Sequence, residues 1–284
     1  MTVEIVKTPS AMRARSDAWR VAGKRIAFVP TMGYLHDGHV SLLEEGRRRG
    51  DVLVLSIFVN PTQFGPKEDL SRYPRDLEGD LAKAERAGVD VAYVPDAAAM
   101  YPDGYQTFVE VEQLQQGLCG ASRPGHFRGV ATVVLKLLNV VQPTVALFGM
   151  KDYQQLQVIR RMARDLDVPS EIVGMPIVRE PDGLAMSSRN AYLSPDERKR
   201  ALVLSRALDA ARTAFAGGER DAGTLLANAR EVVDSGEGVR LDYLELRDGE
   251  SLELSSGAVV RPAVMAIAVF VGRTRLIDNL LLAP

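Results

Sequence analysis

The chain has 284 residues, 46% hydrophobic, 25% charged and 6% aromatic, with 35 basic side chains against 37 acidic ones. These ordinary globular proportions exclude disordered, collagen-like and mucin-like chains, and at roughly 150 residues per domain the length suggests about two domains with sizeable cores. A formal net charge of -2, with like charges grouped no further than short runs such as Arg47-Arg48-Arg49, leaves no basic stripe for long nucleic acid.

The single Cys119 cannot form an internal disulfide, which suits a reducing compartment. The first residues, Met1 to Ala22, carry Glu4, Lys7, Arg13, Arg15 and Asp17 and so contain no apolar signal core. No stretch approaches the roughly 20 apolar residues that cross a bilayer. A cytoplasmic protein without membrane or nucleic-acid partners is expected.

In chain order, the apolar runs Ile26 to Pro30, Val52 to Val59, Val89 to Pro95 and Val145 to Phe148 predict strands, with helical stretches between them. Continuously apolar strands separated by helices indicate a parallel sheet covered on both faces. The stretches His39 to Arg49 and Asp76 to Arg86 end at Gly50 and Gly88, each placed as a left-handed helix cap. From about Met175 the texture changes to a long loop, helices over Pro195 to Ala216 and Ala222 to Asp234, and strands near Leu241 to Leu246 and Val264 to Val271. Ser194-Pro195-Asp196-Glu197 reads as a capping box with proline at the first helical position. The expected fold class is α/β: a Rossmann-like parallel-sheet nucleotide-binding domain over residues 1–175 and a smaller C-terminal α+β cover domain over 176–284. No internal repeat is present, which excludes solenoids and propellers.

Two of the three histidines, His36 and His39, lie in Pro30-Thr-Met-Gly-Tyr-Leu-His-Asp-Gly-His39, between the first long strand and a helix. That junction places His39 in a first helical turn, where free N–H groups and the positive end of the helix dipole attract phosphate, and Gly33 and Gly38 permit close backbone approach. The run matches neither the dinucleotide fingerprint nor the P-loop. Zinc would find few ligands, with one Cys far away. A second strand-to-helix junction, Phe148-Gly-Met-Lys-Asp-Tyr-Gln-Gln155, is expected to open onto the same crevice, with Lys151 and Gln155 four apart on one helix face. The loop Val178 to Asn190 offers the hydroxyls of Ser187 and Ser188 and the guanidinium of Arg189 to an anion. Phe58-Val-Asn-Pro-Thr-Gln-Phe64 presents the neutral amides of Asn60 and Gln63. His126, in a Pro-Gly loop, reads as structural, with Arg123 available to a phosphate or carboxylate. These spacings alone reach a phosphate-binding α/β enzyme that transfers a nucleotide.

The His-x-Gly-His run, with Met-Ser-Ser-Arg189 in place of Lys-Met-Ser-Lys-Ser, resembles the adenylate-forming nucleotidyltransferase superfamily. The runs Phe58 to Phe64, Tyr73-Pro-Arg75, Arg123 to Gly129, Lys151 to Gln155, Ser187 to Ser194 and Arg275-Leu-Ile-Asp-Asn279 single out the pantothenate synthetase family within it. The resemblance implies that ATP and pantoate give pantoyl adenylate and pyrophosphate, after which β-alanine attacks the acyl carbon to give pantothenate and AMP. It also implies a homodimer and Mg2+ accompanying ATP. By the same resemblance His36 and His39 would hold the triphosphate, with His39 as proton donor, and Lys151 would neutralise charge at the α-phosphate. Ser187, Ser188 and Arg189 would grip the pyrophosphate. Met32, Gly33, Tyr34, Leu35, Asp37, Gly38, Gly149, Met150, Asp152, Val178 and Met186 would complete the ATP site, and Gln63 and Gln155 would bind pantoate, Gln63 also reaching β-alanine. Many relatives carry Glu where Met150 stands, and some carry a second acid where Gly79 precedes Asp80.

Three alternatives compete. Another nucleotidyltransferase of the superfamily would need a basic pocket for a phosphate acceptor, where Asn60, Gln63 and Gln155 offer neutral amides. An aminoacyl-tRNA synthetase would need a tRNA-binding surface. A silent nucleotide-binding regulator could dispense with His36, His39 or Lys151, and all three are present.

Overall fold

The structure is a computed structural model and describes residues 2–66 and 68–284. Its contacts divide the chain into two compact units, one made of the chain up to Met150 with Gln155–Pro176, the other of Lys151–Gln154 with Ile177–Pro284.

The first unit runs β1 (Glu4–Val6), α1 (Pro9–Val21), β2 (Ile26–Thr31), α2 (Asp37–Arg49), β3 (Val52–Ile57), α3 (Leu77–Arg86), β4 (Val91–Tyr93), α4 (Ala97–Met100), α5 (Leu118–Ser122), α6 (His126–Val141), β5 (Val145–Gly149), most of α7 (Tyr153–Asp165) and β6 (Glu171–Met175). The strands form one parallel sheet in the order β1-β4-β3-β2-β5-β6. Side chains alternate across a strand, so Ala27, Val29, Leu53, Leu55, Val145 and Leu147 share a core with Leu42 and Leu43 of α2. Their neighbours Ile26, Phe28, Val54 and Ala146 are also buried, as strands covered on both faces require. From β2 the chain winds outward through β3 to β4, then returns to place β5 on the other side of β2. The carboxyl ends of β2 and β5, Thr31 and Gly149, therefore flank the point where the winding reverses, which is where open α/β sheets bind ligands.

In the second unit, α8 (Pro195–Ala201), α9 (Val203–Ala216) and α10 (Ala222–Asp234) precede an antiparallel sheet of β7 (Val239–Asp248), β8 (Ala263–Val271) and β9 (Thr274–Leu282). Leu204, Leu208 and Ala211 of α9 and Leu225 and Ala229 of α10 share a core with Met265, Ile267 and Val269 of β8.

Parallel-sheet α/β architecture with a small α+β unit after it agrees with the expected fold class. The capping box is present, with Glu197 N–H donating to Ser194 Oγ at 3.3 Å and Ser194 N–H to Glu197 Oε2 at 2.9 Å. Three local expectations fail. The predicted helix Pro195 to Ala216 is interrupted at Leu202, which separates α8 from α9. The edge strand β1 and the strand β9 were not anticipated. Gly88 is left-handed (φ 77°) as expected, but Gly50 is extended (φ -132°) and caps nothing in the left-handed sense. Its missing side chain has another cause: a Cβ there would stand 2.7 Å from the backbone nitrogen of Ala27, where the chain leaving α2 runs against β2.

Candidate active site

The loop after β2 is built around a carboxylate. Thr31 Oγ1 donates to the carbonyl of Ser56 at 2.8 Å and accepts the amide of Gly33 at 3.2 Å, which turns the chain out of the sheet. Gly33 (φ 82°) and Tyr34 (φ 52°) are both left-handed, and a Cβ on Gly33 would come within 2.9 Å of Asp80 Oδ2. Asp80, in the first turn of α3 and 1% exposed, accepts the amide of Tyr34 at 2.8 Å and that of Leu35 at 2.6 Å. Burial raises its pKa above the ordinary carboxylate value, more than those two amides and Lys83 lower it. Besides the close approach of an anion expected at Gly33, the glycine has a role inside the protein: it makes room for Asp80, which engages the next two amides. Gly79 donates its amide to Asp76, the N-cap of α3, at 3.0 Å.

His36 is the N-cap of α2 and His39 its third residue. The backbone N–H of His36 donates to His39 Nδ1 at 3.3 Å, and the two rings lie 4.1 Å apart. With Nδ1 accepting, the neutral imidazole carries its proton on Nε2, so His39 presents an N–H donor at a helix N-terminus, where phosphate is favoured. Asp37 and Gly38 complete this first turn.

Gln63 closes the 3-10 turn Pro61–Gln63 after β3 and is 7% exposed. Its Oε1 accepts from Asn60 Nδ2 at 3.0 Å, and its Nε2 donates to Met32 Sδ at 3.2 Å, bringing the loop that carries the histidines to the same place. Asn60 was expected to face a ligand and does not. It is 1% exposed, donates also to the carbonyl of Gly129 at 3.1 Å, and accepts from Thr62 Oγ1 at 2.9 Å and Tyr101 OH at 2.8 Å. Burial pushes the Tyr101 phenol up to about 12, so it stays a donor. The backbone of Gln63 is held as well: its carbonyl accepts from His126 Nδ1 at 2.9 Å and Arg123 Nη2 at 3.3 Å. Arg123 meets a carboxylate of the chain itself, donating to both oxygens of Glu68 at 2.8 and 2.6 Å. Burial pushes Glu68 up, but Arg123 outweighs it and holds the carboxyl below the usual range.

Beyond β5, Gly149 leads into the 3-10 turn Met150–Asp152, and α7 begins only at Tyr153. Lys151 and Gln155 therefore do not share an α-helical face as expected, because the tighter turn precedes the helix. Lys151 Nζ lies 3.7 Å from Asp152 Oδ2, and its carbonyl accepts from Asn279 Nδ2 at 2.8 Å.

In the second unit, Val178 and Met186 are the two ends of a short ribbon. Met186 N–H donates to the carbonyl of Val178 at 3.0 Å, Arg179 pairs with Ala185, and Glu180 N–H donates to Leu184 O at 2.8 Å, with the turn at Gly183 (φ 94°). Ser187 caps the following 3-10 helix Ser188–Tyr192 by accepting Arg189 N–H at 3.3 Å. Asn190 Nδ2 ties that helix back to Glu180 Oε1 at 2.7 Å and Ala185 O at 3.1 Å. The predicted polar loop is thus an ordered ribbon. Sequence reasoning missed Thr31, the hold of Asp80 on the loop, and the contact of Asn279 with Lys151. None has a local signal, since each acts on a residue distant in the chain.

Among the described residues, no group of three or more His, Cys, Asp or Glu side chains could hold a metal ion, and no helix is long and apolar enough to cross a membrane.

The model of the pantoate-beta-alanine ligase family matches residues 4–281. Pantothenate synthetase of Syntrophobacter fumaroxidans is 58% identical over 282 residues, covering 99% of each chain, and that of Myxococcus xanthus is 58% identical over 282 residues, covering 99% of this chain and 96% of the relative. Among solved structures, pantothenate synthetase of Thermus thermophilus superposes with a TM-score of 0.93 at 48% identity, covering 99% of this chain and all of that one. Pantoate-beta-alanine ligase of Francisella tularensis, complexed with beta-gamma ATP and beta-alanine, gives 0.80 at 32% identity, covering 98% and 97%. With a family model spanning nearly its whole length and relatives this similar end to end, the chain belongs to the pantoate-beta-alanine ligase family.

Proposed function

We infer that the protein condenses pantoate with β-alanine in an ATP-dependent, AMP-forming reaction, as a ligase of pantothenate biosynthesis. Family membership over residues 4–281 carries this reading. The pantoate carboxylate oxygen attacks the α-phosphorus, forming the acyl–O–P bond and breaking the bond to the β-phosphate, so pyrophosphate leaves. The β-alanine amine then attacks the acyl carbon, forms the amide, loses a proton and releases AMP. Neither step needs a protein nucleophile. Both need alignment and stabilisation of developing charge.

The site roles are those that the family resemblance implies. His39 directs its Nε2 proton at a phosphate oxygen and, with His36, holds the triphosphate at the N-terminus of α2. Lys151 neutralises the α-phosphate, and Ser187, Ser188 and Arg189 hold the pyrophosphate. Met32, Gly33, Tyr34, Leu35, Asp37, Gly38, Gly149, Met150, Asp152, Val178 and Met186 line the rest of the ATP site. Gln63 binds pantoate together with Gln155, and its fixed amide suits a ligand carrying hydroxyls and a carboxylate. ATP enters as its magnesium complex. The family resemblance implies that this ion would be carried mainly by phosphate oxygens and water. A nucleotide-binding domain over residues 1–175, a C-terminal domain over 176–284, a cytoplasmic location and a homodimer belong to the same reading, supported by the family resemblance. Sedimentation velocity tests the last of these.

The deciding assay incubates the purified protein with ATP, Mg2+ and pantoate, adds β-alanine and follows AMP. AMP release that depends on both acid and amine is expected; release independent of either overturns the assignment.

A further inference from the structure

The run Arg275-Leu-Ile-Asp-Asn279 lies on β9, and none of its residues has a part in the chemistry above. Successive side chains of a strand leave opposite faces, so Asp278 and Asn279 reach in opposite directions. Both are buried, at 3% and 5% exposure. Asp278 binds Arg179 through both oxygens, at 2.6 and 3.1 Å, and the same guanidinium donates to the carbonyl of Gly183 at 3.1 Å. One aspartate thereby ties β9 to the ribbon that leads into Ser187, Ser188 and Arg189. On the other face, Asn279 Nδ2 donates to the carbonyl of Lys151 at 2.8 Å. The backbone N–H of Asn279 donates in turn to Asp278 Oδ1 at 2.8 Å, so the aspartate also holds the main chain from which Asn279 springs. All of these residues lie within one compact unit.

We propose that Asp278 and Asn279 are positioning residues of the ligase reaction, setting the spacing between Lys151 and the Ser187 to Arg189 segment that the phosphates of ATP require. The inference rests on the assignment of Lys151 and that segment to phosphate. Lysine has a long flexible stem, so the protein can fix its ammonium only by fixing the backbone from which it springs. Lys151 stands in a one-turn 3-10 segment between a strand and a helix, and Asn279 supplies a side-chain hydrogen bond to its peptide. Displacement of a charge-neutralising group by about 1 Å costs on the order of 10²-fold in rate.

Adenylation is read as pyrophosphate release in single turnovers with MgATP and pantoate, for the wild type, Asn279→Ala, the nearly isosteric Asn279→Asp, Asp278→Asn, Lys151→Ala and the Lys151→Ala/Asn279→Ala pair. The expected result is a loss of about 10-fold or more in Asn279→Ala, Asn279→Asp and Asp278→Asn, with pantoate KM unchanged within about 2-fold, because the Gln63 cluster does not depend on β9. The double variant should be no slower than Lys151→Ala alone, since Asn279 acts through Lys151. Wild-type rates in the Asn279 and Asp278 variants while Lys151→Ala is slow would overturn the positioning role and leave the phosphate assignment standing. A wild-type rate in Lys151→Ala would overturn that assignment and the inference with it. Additive losses in the double variant, or a pantoate KM that rises together with a falling melting temperature, would reduce Asn279 to a general structural residue and also overturn the proposal.

Discussion

Asp80 accepts the amide of Leu35 at 2.6 Å across 45 residues of chain, while its other oxygen accepts Tyr34 at 2.8 Å. A buried carboxylate thus fixes the two peptides that precede His36. Asp80→Asn keeps the shape but turns an NH2 group toward at least one amide donor, leaving a buried donor facing a donor. The expected cost is about 1–3 kcal/mol of stability, together with a higher ATP KM and a kcat about 10-fold lower as the histidine turn shifts. Thermal unfolding and steady-state AMP release measure the two effects, and a variant indistinguishable from wild type in both would show that the loop holds itself.

His39→Ala should lower kcat by about 10²-fold or more, through loss of the Nε2 donor at the helix N-terminus. A folded His39→Ala enzyme with an unchanged rate would remove this residue from the mechanism.

Tyr101→Phe deletes the phenol that donates to Asn60 Oδ1 at 2.8 Å and leaves the Gln63 amide less firmly oriented. Pantoate KM should rise by roughly 3- to 10-fold, a larger relative change than in ATP KM, as expected for about one hydrogen bond of positioning. Gln155→Ala should likewise raise the pantoate requirement, and wild-type pantoate affinity in that variant would contradict its role. Because the phenol is pushed up to about 12, the wild-type pantoate KM should not titrate with Tyr101 below that range.

Glu68 carries a testable pH signature. Its folded pKa lies below the ordinary value of 4.5, so the pair with Arg123 stabilises the fold fully above that value. The contribution is lost as pH falls through the depressed folded pKa. Glu68→Gln should therefore be less stable than wild type at neutral pH by about 1–2 kcal/mol, and the difference should shrink on acidification below about pH 4.5. Denaturant melts at a series of pH values check this, and a constant gap would show that the ion pair is not its source.

Gly50→Ala should destabilise by about 1–3 kcal/mol, because the new methyl would meet the backbone of Ala27 at 2.7 Å rather than a movable side chain. A neutral substitution in thermal melts would mean that β2 yields at this point.

How much of this was legible depended on whether a feature is local. β2, β3 and β5 could be read because burial on both faces makes them continuously apolar, and the Ser194 to Glu197 box because its partners are three residues apart. The placement of His36 and His39 at the start of α2 was likewise a strand-to-helix junction visible in the residues themselves. β1, at three residues, is too short to carry a pattern, whereas the equally short β4 was read from the apolar run Val89 to Pro95 around it. Gly50 was misread because a glycine after a helix commonly marks a left-handed cap, whereas here the reason is a neighbouring strand. The supports of the site were invisible for the same reason: His126 reaches Gln63 across 63 residues and Asn279 reaches Lys151 across 128. Asn60 looked like a ligand-facing amide because nothing local shows that Tyr101 and Gly129 consume it.

Lys151–Gln154 sit in sequence between β5 and the body of α7, yet they cluster with the C-terminal unit. Besides the bond from Asn279 to Lys151, Tyr153 OH donates to the carbonyl of Gly249 at 2.7 Å. A chain truncated after Pro176 would keep Lys151 but strip both tethers from its turn. Genetic splitting at that point cannot yield two self-sufficient halves, and attempts to reassemble the enzyme from fragments, or to graft its C-terminal part onto another nucleotide-binding fold, would have to carry these four residues across with it.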